Sequence, residues 1–596
     1  MSKRLGFFLD SMPLKLRFHF LVVAFWLGLL SLPMLMASCG GSGDQTGTAT
    51  TGEIKQPIAV AGPAPRLDSM YVIRAMRTNA NFKAQERWAR KFYRERDFRL
   101  GWFKDHQLVP QAETMLGVIA KAKDDGLDPK KYQDSGLPKL LAEFKTVQDS
   151  ARRNQLERQI DVALSGTYFS WASDYYRGVA NPRDTKNDAW KVKRNKIKLD
   201  RALLTILRER ESTYPYYDFA PLHPEYDHLK KALSLLRARQ QAGGWPTLPA
   251  TTSLKPGQAS PVVGLLRQRL LGNETAGPAA PPTAPGQALP VVNKEPAPTS
   301  AEVYGPELVE AVKSFQRDAG LPPTGIVNGE TLRQLNVPLS ARINQVILNM
   351  ERWRWLPKKF EPDYLLVNIP EYRLYVYEQG KQALTMRVIV GKTLNATPVF
   401  SDKMEYVVLS PYWNVPFSII DKELRPKLAA NPNYLDRLDM EVVKGYGRKA
   451  TVIDPATVDW ANVTPATFKY TLRRRPGPKN DLGEVKFIFP NSNDIYLHDT
   501  PHDELFSQTA RNFSHGCVRV EKPVELATYL LRKFPQWDRA TIEDTIAQRH
   551  EKYITLKEKL PVYLVYLTAW ADANGHVHFR NDIYGHDKAL AKEYFG

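Results

Sequence analysis

Residues 495–520 bring together the side chains best suited to covalent chemistry. Ser514-His515-Gly516-Cys517 closes the stretch, and His498 lies upstream with fifteen residues between it and Ser514. A thiol becomes a nucleophile at neutral pH only with help, and an imidazole is the usual base. Either His498 or His515 could supply it. The chain has just two cysteines, Cys39 and Cys517. Cys517 follows Gly516 and a polar His515, away from any apolar run, which is not the setting of an inert core thiol. Strand alternation across residues 494–498 puts Asp494, Tyr496 and His498 on one face, with Ile495 and Leu497 on the other. His498 then faces a site while its neighbours pack a core. His502, His576, His578 and His586 lack a Cys/His/Glu spacing suited to zinc, so the expectation is no metal and no cofactor.

The elements that must position this stretch are β-rich. Residues 364–368, 373–377, 386–391 and 404–409 alternate with period two, and 486–489 and 494–498 resume that pattern just before the motif. Residues 417–480 leave it, with a helical 419–430 and a mixed 454–462, and read as an insertion over the β domain, a candidate lid. Residues 523–534 form a helix, and 562–570 with 577–580 form a terminal hairpin around Asp572-Ala573-Asn574-Gly575.

Upstream the period is helical. Residues 137–144, 155–168 and 199–208 space apolar side chains three and four apart, making 66–250 a helical scaffold. Residues 251–340 hold two short helices, at 262–271 and 306–319, interrupted by a Pro/Ala-rich stretch at 275–302. A helix at 341–360 leads into the β domain. At 596 residues the chain is too long for a single core. Its formal charge of +19 suits an anionic partner, but no dense basic run or nucleic-acid motif is present, so nucleic acid is excluded.

The N-terminus reads as an export leader. Lys15 and Arg17 precede a mostly apolar run at 18–36, which ends in Ala37-Ser38-Cys39 and a Gly/Ser tether. Small residues before a Cys resemble a bacterial lipoprotein signal. The resemblance implies a signal at 1–38, lipidation of Cys39 and a flexible tether at 39–65. The protein is then exported, periplasmic and membrane-anchored, at the outer rather than the inner membrane. With Cys39 lipidated, Cys517 is a lone exported thiol without an intrachain disulfide partner.

The run AVKSFQRDAGLPPTGIVNGETLRQLNV resembles the three-helix peptidoglycan-binding module of cell-wall enzymes. His498 followed at this spacing by Ser514-His515-Gly516-Cys517 resembles the signature of the L,D-transpeptidases of YkuD type. Pro476-Gly477, Leu482-Gly483, Lys486-Phe487, Phe489-Pro490-Asn491 and Leu497-His498-Asp499-Thr500 are similar to the large YcbB-like members. The implied fold is α+β and multidomain: a helical scaffold, a small wall-binding module, and a mostly-β catalytic domain at 361–535 with a lid, followed by an extension at 536–596. The implied activity is formation of 3-3 peptidoglycan cross-links by a monomer. Its partners are donor and acceptor stem peptides. Cys517 attacks a tetrapeptide stem and D-Ala leaves, with His498 as acid and base. The carbonyl of Asp499 orients His498. His515 supports, and backbone amides around His515, Gly516 and Cys517 form an oxyanion hole. Arg519 stands where most relatives have Asn and could hold a substrate carboxylate. Ser514, Tyr496 and Trp413 are further candidates for the donor cleft. The resemblance also implies acylation of Cys517 by carbapenems. Alternatives are L,D-carboxypeptidase or endopeptidase action at the same site, or a wall-binding scaffold without catalysis.

Overall fold

The computed structural model describes residues 64–133, 136–182, 190–192, 195–208, 222–272, 302–445 and 450–596. The leader, Cys39 and nearly all of the Pro/Ala-rich stretch lie outside them. Among the described residues, no helix is long and apolar enough to cross a membrane.

The helical region is built on α1 (Ser150–Arg177), capped by the Asp149 carboxylate on the Arg152 amide. Asp161, buried in its middle, accepts from Tyr93 Oη and the Trp102 amide, so burial of that carboxylate is matched by donors. α2 (Pro224–Gln241) belongs elsewhere. Its Tyr226, Leu229 and Leu233 pack with Val346, Met350 and Trp353 and with Val565 and Leu567, a core separate from that of α1.

The wall-binding-like region has three helices, α3 (Val262–Leu271), α4 (Pro306–Asp318) and α5 (Gly329–Leu335). Val263, Leu266, Leu308, Val312, Leu332 and Leu335 form its core. Buried Gln316 satisfies the turn beside it, accepting from the Gly325 amide and donating to the Ile326 carbonyl.

α6 (Leu339–Trp355) contributes to more than one core. Its polar residues are buried as well. Arg354 pairs with Glu351 at 2.9 Å and donates to Tyr226 Oη and the Asp125 carbonyl, and Glu351 accepts from the Ala180 amide. On its other side, Arg352 reaches Asp587, and Asn349 exchanges hydrogen bonds with Thr568.

The β domain follows from alternation. β1 (Tyr364–Asn368), β2 (Arg373–Glu378), β3 (Lys381–Gly391) and β4 (Phe400–Leu409) come first. The insertion then makes its own four-stranded antiparallel sheet from β5 (Trp413–Asn414), β6 (Met440–Lys444), β7 (Thr451–Ile453) and β8 (Thr471–Arg474), in the order β5-β8-β6-β7. Its core holds Leu424, Leu428, Leu435, Val442, Trp460 and Leu472. The mixed and helical reading of 417–480 missed this sheet, because each strand is short and its partners are distant in sequence. Buried Asn480 pins the root by donating to the carbonyls of Pro411 and Arg475.

β9 (Val485–Ile488), β10 (Leu497–His498), β11 (Asn512–Ser514), β12 (Val518–Val520) and β13 (Lys552–Val565) complete the main sheet in the order β11-β3-β12-β10-β9-β4-β13-β1-β2. β2 also pairs with β3, so the order returns on itself. β13 runs antiparallel to β4 and parallel to β1. This corrects the expectation of a catalytic domain ending at 535 with an appended extension: the C-terminal segment supplies a central strand. The terminal hairpin is smaller than expected, β14 (Ala569–Ala571) with β15 (Val577–Phe579).

Candidate active site

The site lies on one face of neighbouring strands. β10 pairs in parallel with β12 at Leu497↔Val518 and His498↔Arg519, and antiparallel with β9 at Lys486↔His498. Directly paired residues share a face, as do residues two apart. Lys486, Tyr496, His498, Cys517 and Arg519 are therefore together. Val485, Phe487, Leu497, Val518 and Val520 point the other way into the core.

His498 is buried, and its Nδ1 lies 2.5 Å from the Asp499 carbonyl oxygen. With Nδ1–H donating there, Nε2 keeps its lone pair. Burial first, then the charge of Arg519, lowers its pKa to about 3 against the pull of the Asp499 carbonyl. The imidazole is neutral at any ordinary pH. The Asp499 carboxyl faces away and accepts from the Glu484 amide at 2.8 Å, and burial raises its pKa to about 6. Gly483, with φ +60, makes room for it: a Cβ there would lie 2.3 Å from Asp499 Oδ2.

The Cys517 thiol is half-buried and donates to the Asp494 carbonyl at 3.7 Å. Asp494 itself has φ +52, a left-handed conformation that Asp tolerates. Burial raises the thiol's pKa, while the Tyr496 amide and hydroxyl and the charge of Lys486 pull it down. The resting pair is thus neutral thiol and neutral imidazole.

The catalytic turn is bolted from beneath. Gly516 has φ +122, open only to glycine without strain. Ser514 Oγ donates to the Cys517 carbonyl at 2.6 Å and accepts from the Gly516 amide at 3.1 Å. Ser514 is 2% exposed, so it positions the turn and does not line the cleft as expected. The Gly516 amide is occupied by that bond, which leaves the His515 and Cys517 amides without an acceptor among the described residues. Thr397 Oγ1 donates to the Gly516 carbonyl at 2.7 Å and accepts from the Gly391 amide at 2.9 Å.

His515 is exposed, with Nε2 3.8 Å from Glu423 of the insertion. The insertion therefore touches the catalytic turn. Trp413 sits at the insertion's root, opposite Arg474 in the strand register and packed on that subdomain's core. Arg519 makes no ion pair among the described residues, and its buried Nε has no partner. Tyr496 lies 5.6 Å from His498, ring to ring.

Sequence reasoning missed two residues. Lys486 Nζ sits 3.9 Å above the Tyr496 ring, without an ion pair among the described residues, and burial lowers its pKa. A lysine in the otherwise apolar β9, in register with His498, was the available signal. Thr397 had none, since its contact spans 119 residues. The structure also gathers Asp318, His576 and His578. Histidine spacing alone could not show this, because the carboxylate comes from 258 residues away.

Comparison with known proteins finds three matching domains along the chain. Residues 362–542 match the YkuD L,D-transpeptidase catalytic domain, 87–233 a scaffold domain, and 293–335 a candidate peptidoglycan binding domain. The chain thus carries a YkuD L,D-transpeptidase catalytic domain behind a helical region and a peptidoglycan-binding domain. A curated Haemophilus influenzae protein, named as a candidate L,D-transpeptidase, is 37% identical over 257 residues. That match covers 43% of this chain and 51% of the relative, so the chain spans about half of that protein's length. Two solved structures are also similar. An L,D-transpeptidase from Xylanimonas cellulosilytica is 14% identical, covering 54% of this chain and 98% of that one, with a TM-score of 0.16. The Ldtfm–avibactam carbamoyl enzyme is 12% identical, covering 35% and 49%, with a TM-score of 0.15.

Proposed function

We propose that the protein forms 3-3 peptidoglycan cross-links through an acyl-cysteine intermediate. The observation that carries this reading is the shared face of His498 and Cys517, with His498 Nδ1 held by the Asp499 carbonyl. The thiol rotates off Asp494 and gives its proton to His498 Nε2. Sγ attacks the carbonyl carbon of the stem's third residue. The oxyanion takes hydrogen bonds from the Cys517 and His515 amides, each donor supplying a few kcal/mol in such enzymes. The tetrahedral intermediate collapses as the C–N bond breaks, and D-Ala leaves with the proton from His498. An acceptor amine then attacks the thioester, His498 takes the amine's proton, and the thiol is restored.

Lys486 favours the thiolate electrostatically, and the unpaired Arg519 is suited to a stem carboxylate. The same reading has the chain exported and tethered through lipidated Cys39, which the leader pattern supports and palmitate labelling would test. Mass spectrometry with a tetrapeptide donor tests the chemistry. A Cys517 adduct with loss of D-Ala is expected. Folded protein that forms no adduct would refute the enzyme and leave a wall-binding scaffold.

A further inference from the structure

The structure assigns a second site: Asp318, His576 and His578 form a divalent-metal site of the zinc class that clamps the wall-binding-like module to the terminal hairpin. Asp318 ends α4, His576 immediately precedes β15, and His578 is its middle residue. Residues two apart on a strand share a face, so both imidazoles turn toward the helix end. His576 Nε2 is 2.8 Å from Asp318 Oδ2, and His578 Nδ1 is 3.1 Å from Oδ1. One ligand atom from each residue lies within 4.8 Å of the others. Tetrahedral zinc with bonds of about 2.0–2.1 Å has ligand-to-ligand edges of about 3.3 Å. The two short Asp–His separations run to different carboxylate oxygens, so an ion would draw one oxygen between the two imidazoles, all three ligand atoms already lying within 4.8 Å.

The surroundings hold the ligands in place. Trp570 stacks on the His578 ring at 5.5 Å, and the Asp572 carboxylate fixes the turn by accepting from the His576 amide. Arg580 donates to the Asp318 backbone carbonyl at 2.7 Å, leaving the carboxylate oxygens to the imidazoles. His576 is half exposed, which leaves a coordination position open to water. Two histidines and one carboxylate, with water in the fourth position, are the ligand pattern of open zinc sites, whereas closed structural sites take four protein ligands. The residues would otherwise be plain His–Asp ion pairs, and these are the competing account.

Isothermal titration of tag-free full chain with Zn2+ separates the two. It is run in a Cys517→Ser background so that the thiol does not compete. One ion per chain at micromolar affinity or tighter is expected. His576→Ala/His578→Ala should weaken it at least 100-fold. Asp318→Asn, which keeps the side chain's size, should also weaken it. Co2+ should give tetrahedral d–d absorption that the double variant lacks. Affinity no better than millimolar, or unchanged in the double variant, would overturn the site and leave ion pairs.

Discussion

Thr397→Val isolates one element of the chemistry. The Thr397 side chain is fully buried, and its hydroxyl has two partners, the Gly516 carbonyl at 2.7 Å and the Gly391 amide at 2.9 Å. Valine matches its shape but pairs with neither. Two buried backbone groups are orphaned, at about 1–3 kcal/mol each, so a loss of about 2–6 kcal/mol in stability is expected. The catalytic effect follows from peptide planarity. The Gly516 carbonyl and the Cys517 amide belong to one peptide group, so anchoring the first aims the second. Losing an oxyanion donor outright costs about 10²–10³ in rate, and misaiming one should cost roughly 10–100-fold. Intact-mass kinetics of Cys517 acylation by a carbapenem measure this. Alkylation by iodoacetamide is the control, because displacement of iodide forms no oxyanion. Acylation should fall while alkylation stays near wild type, and Thr397→Ser should recover both. Folded Thr397→Val protein that acylates within twofold of wild type refutes the argument. A parallel fall in acylation and alkylation would do the same.

Three other outcomes can be checked. Lys486→Met removes a charge that pulls the thiol's pKa down, so its pKa rises and the acylation–pH curve moves to higher pH, while Lys486→Arg stays near wild type. Because His498 is neutral above about pH 3, wild-type acylation should show no histidine inflection near pH 6.5. His498→Gln should be slow at neutral pH and recover in alkali as the thiolate forms unaided; a wild-type inflection at pH 6–7 that disappears in this variant would contradict the neutral imidazole. Arg354→Met leaves Glu351 buried and unpaired, which should cost about 3–5 kcal/mol by chemical denaturation, with partial recovery on adding Glu351→Gln.

What could be read from the chain was what is local. Alternation through 494–498 predicts which way His498 faces, and a Gly-Cys turn after a polar histidine reveals the thiol. Ser514 was a candidate for the donor cleft, whereas its hydroxyl turns inward to tie the Gly516 amide to the Cys517 carbonyl. Thr397 and Asp318 act across 119 and 258 residues, and no sequence period carries such a contact. The insertion's sheet was hidden for the same reason: β5 is only two residues long and pairs with β8 from the insertion's far end.

The family match stops at residue 542, but the hydrogen-bonded ring does not. β13 fills the place between β4 and β1, ten residues beyond that limit. Cys517 therefore precedes in sequence the strand that completes its domain. Without β13 the facing edges of β4 and β1 would be unpaired, so a strand outside the matched stretch closes the sheet on which Lys486, His498 and Cys517 stand.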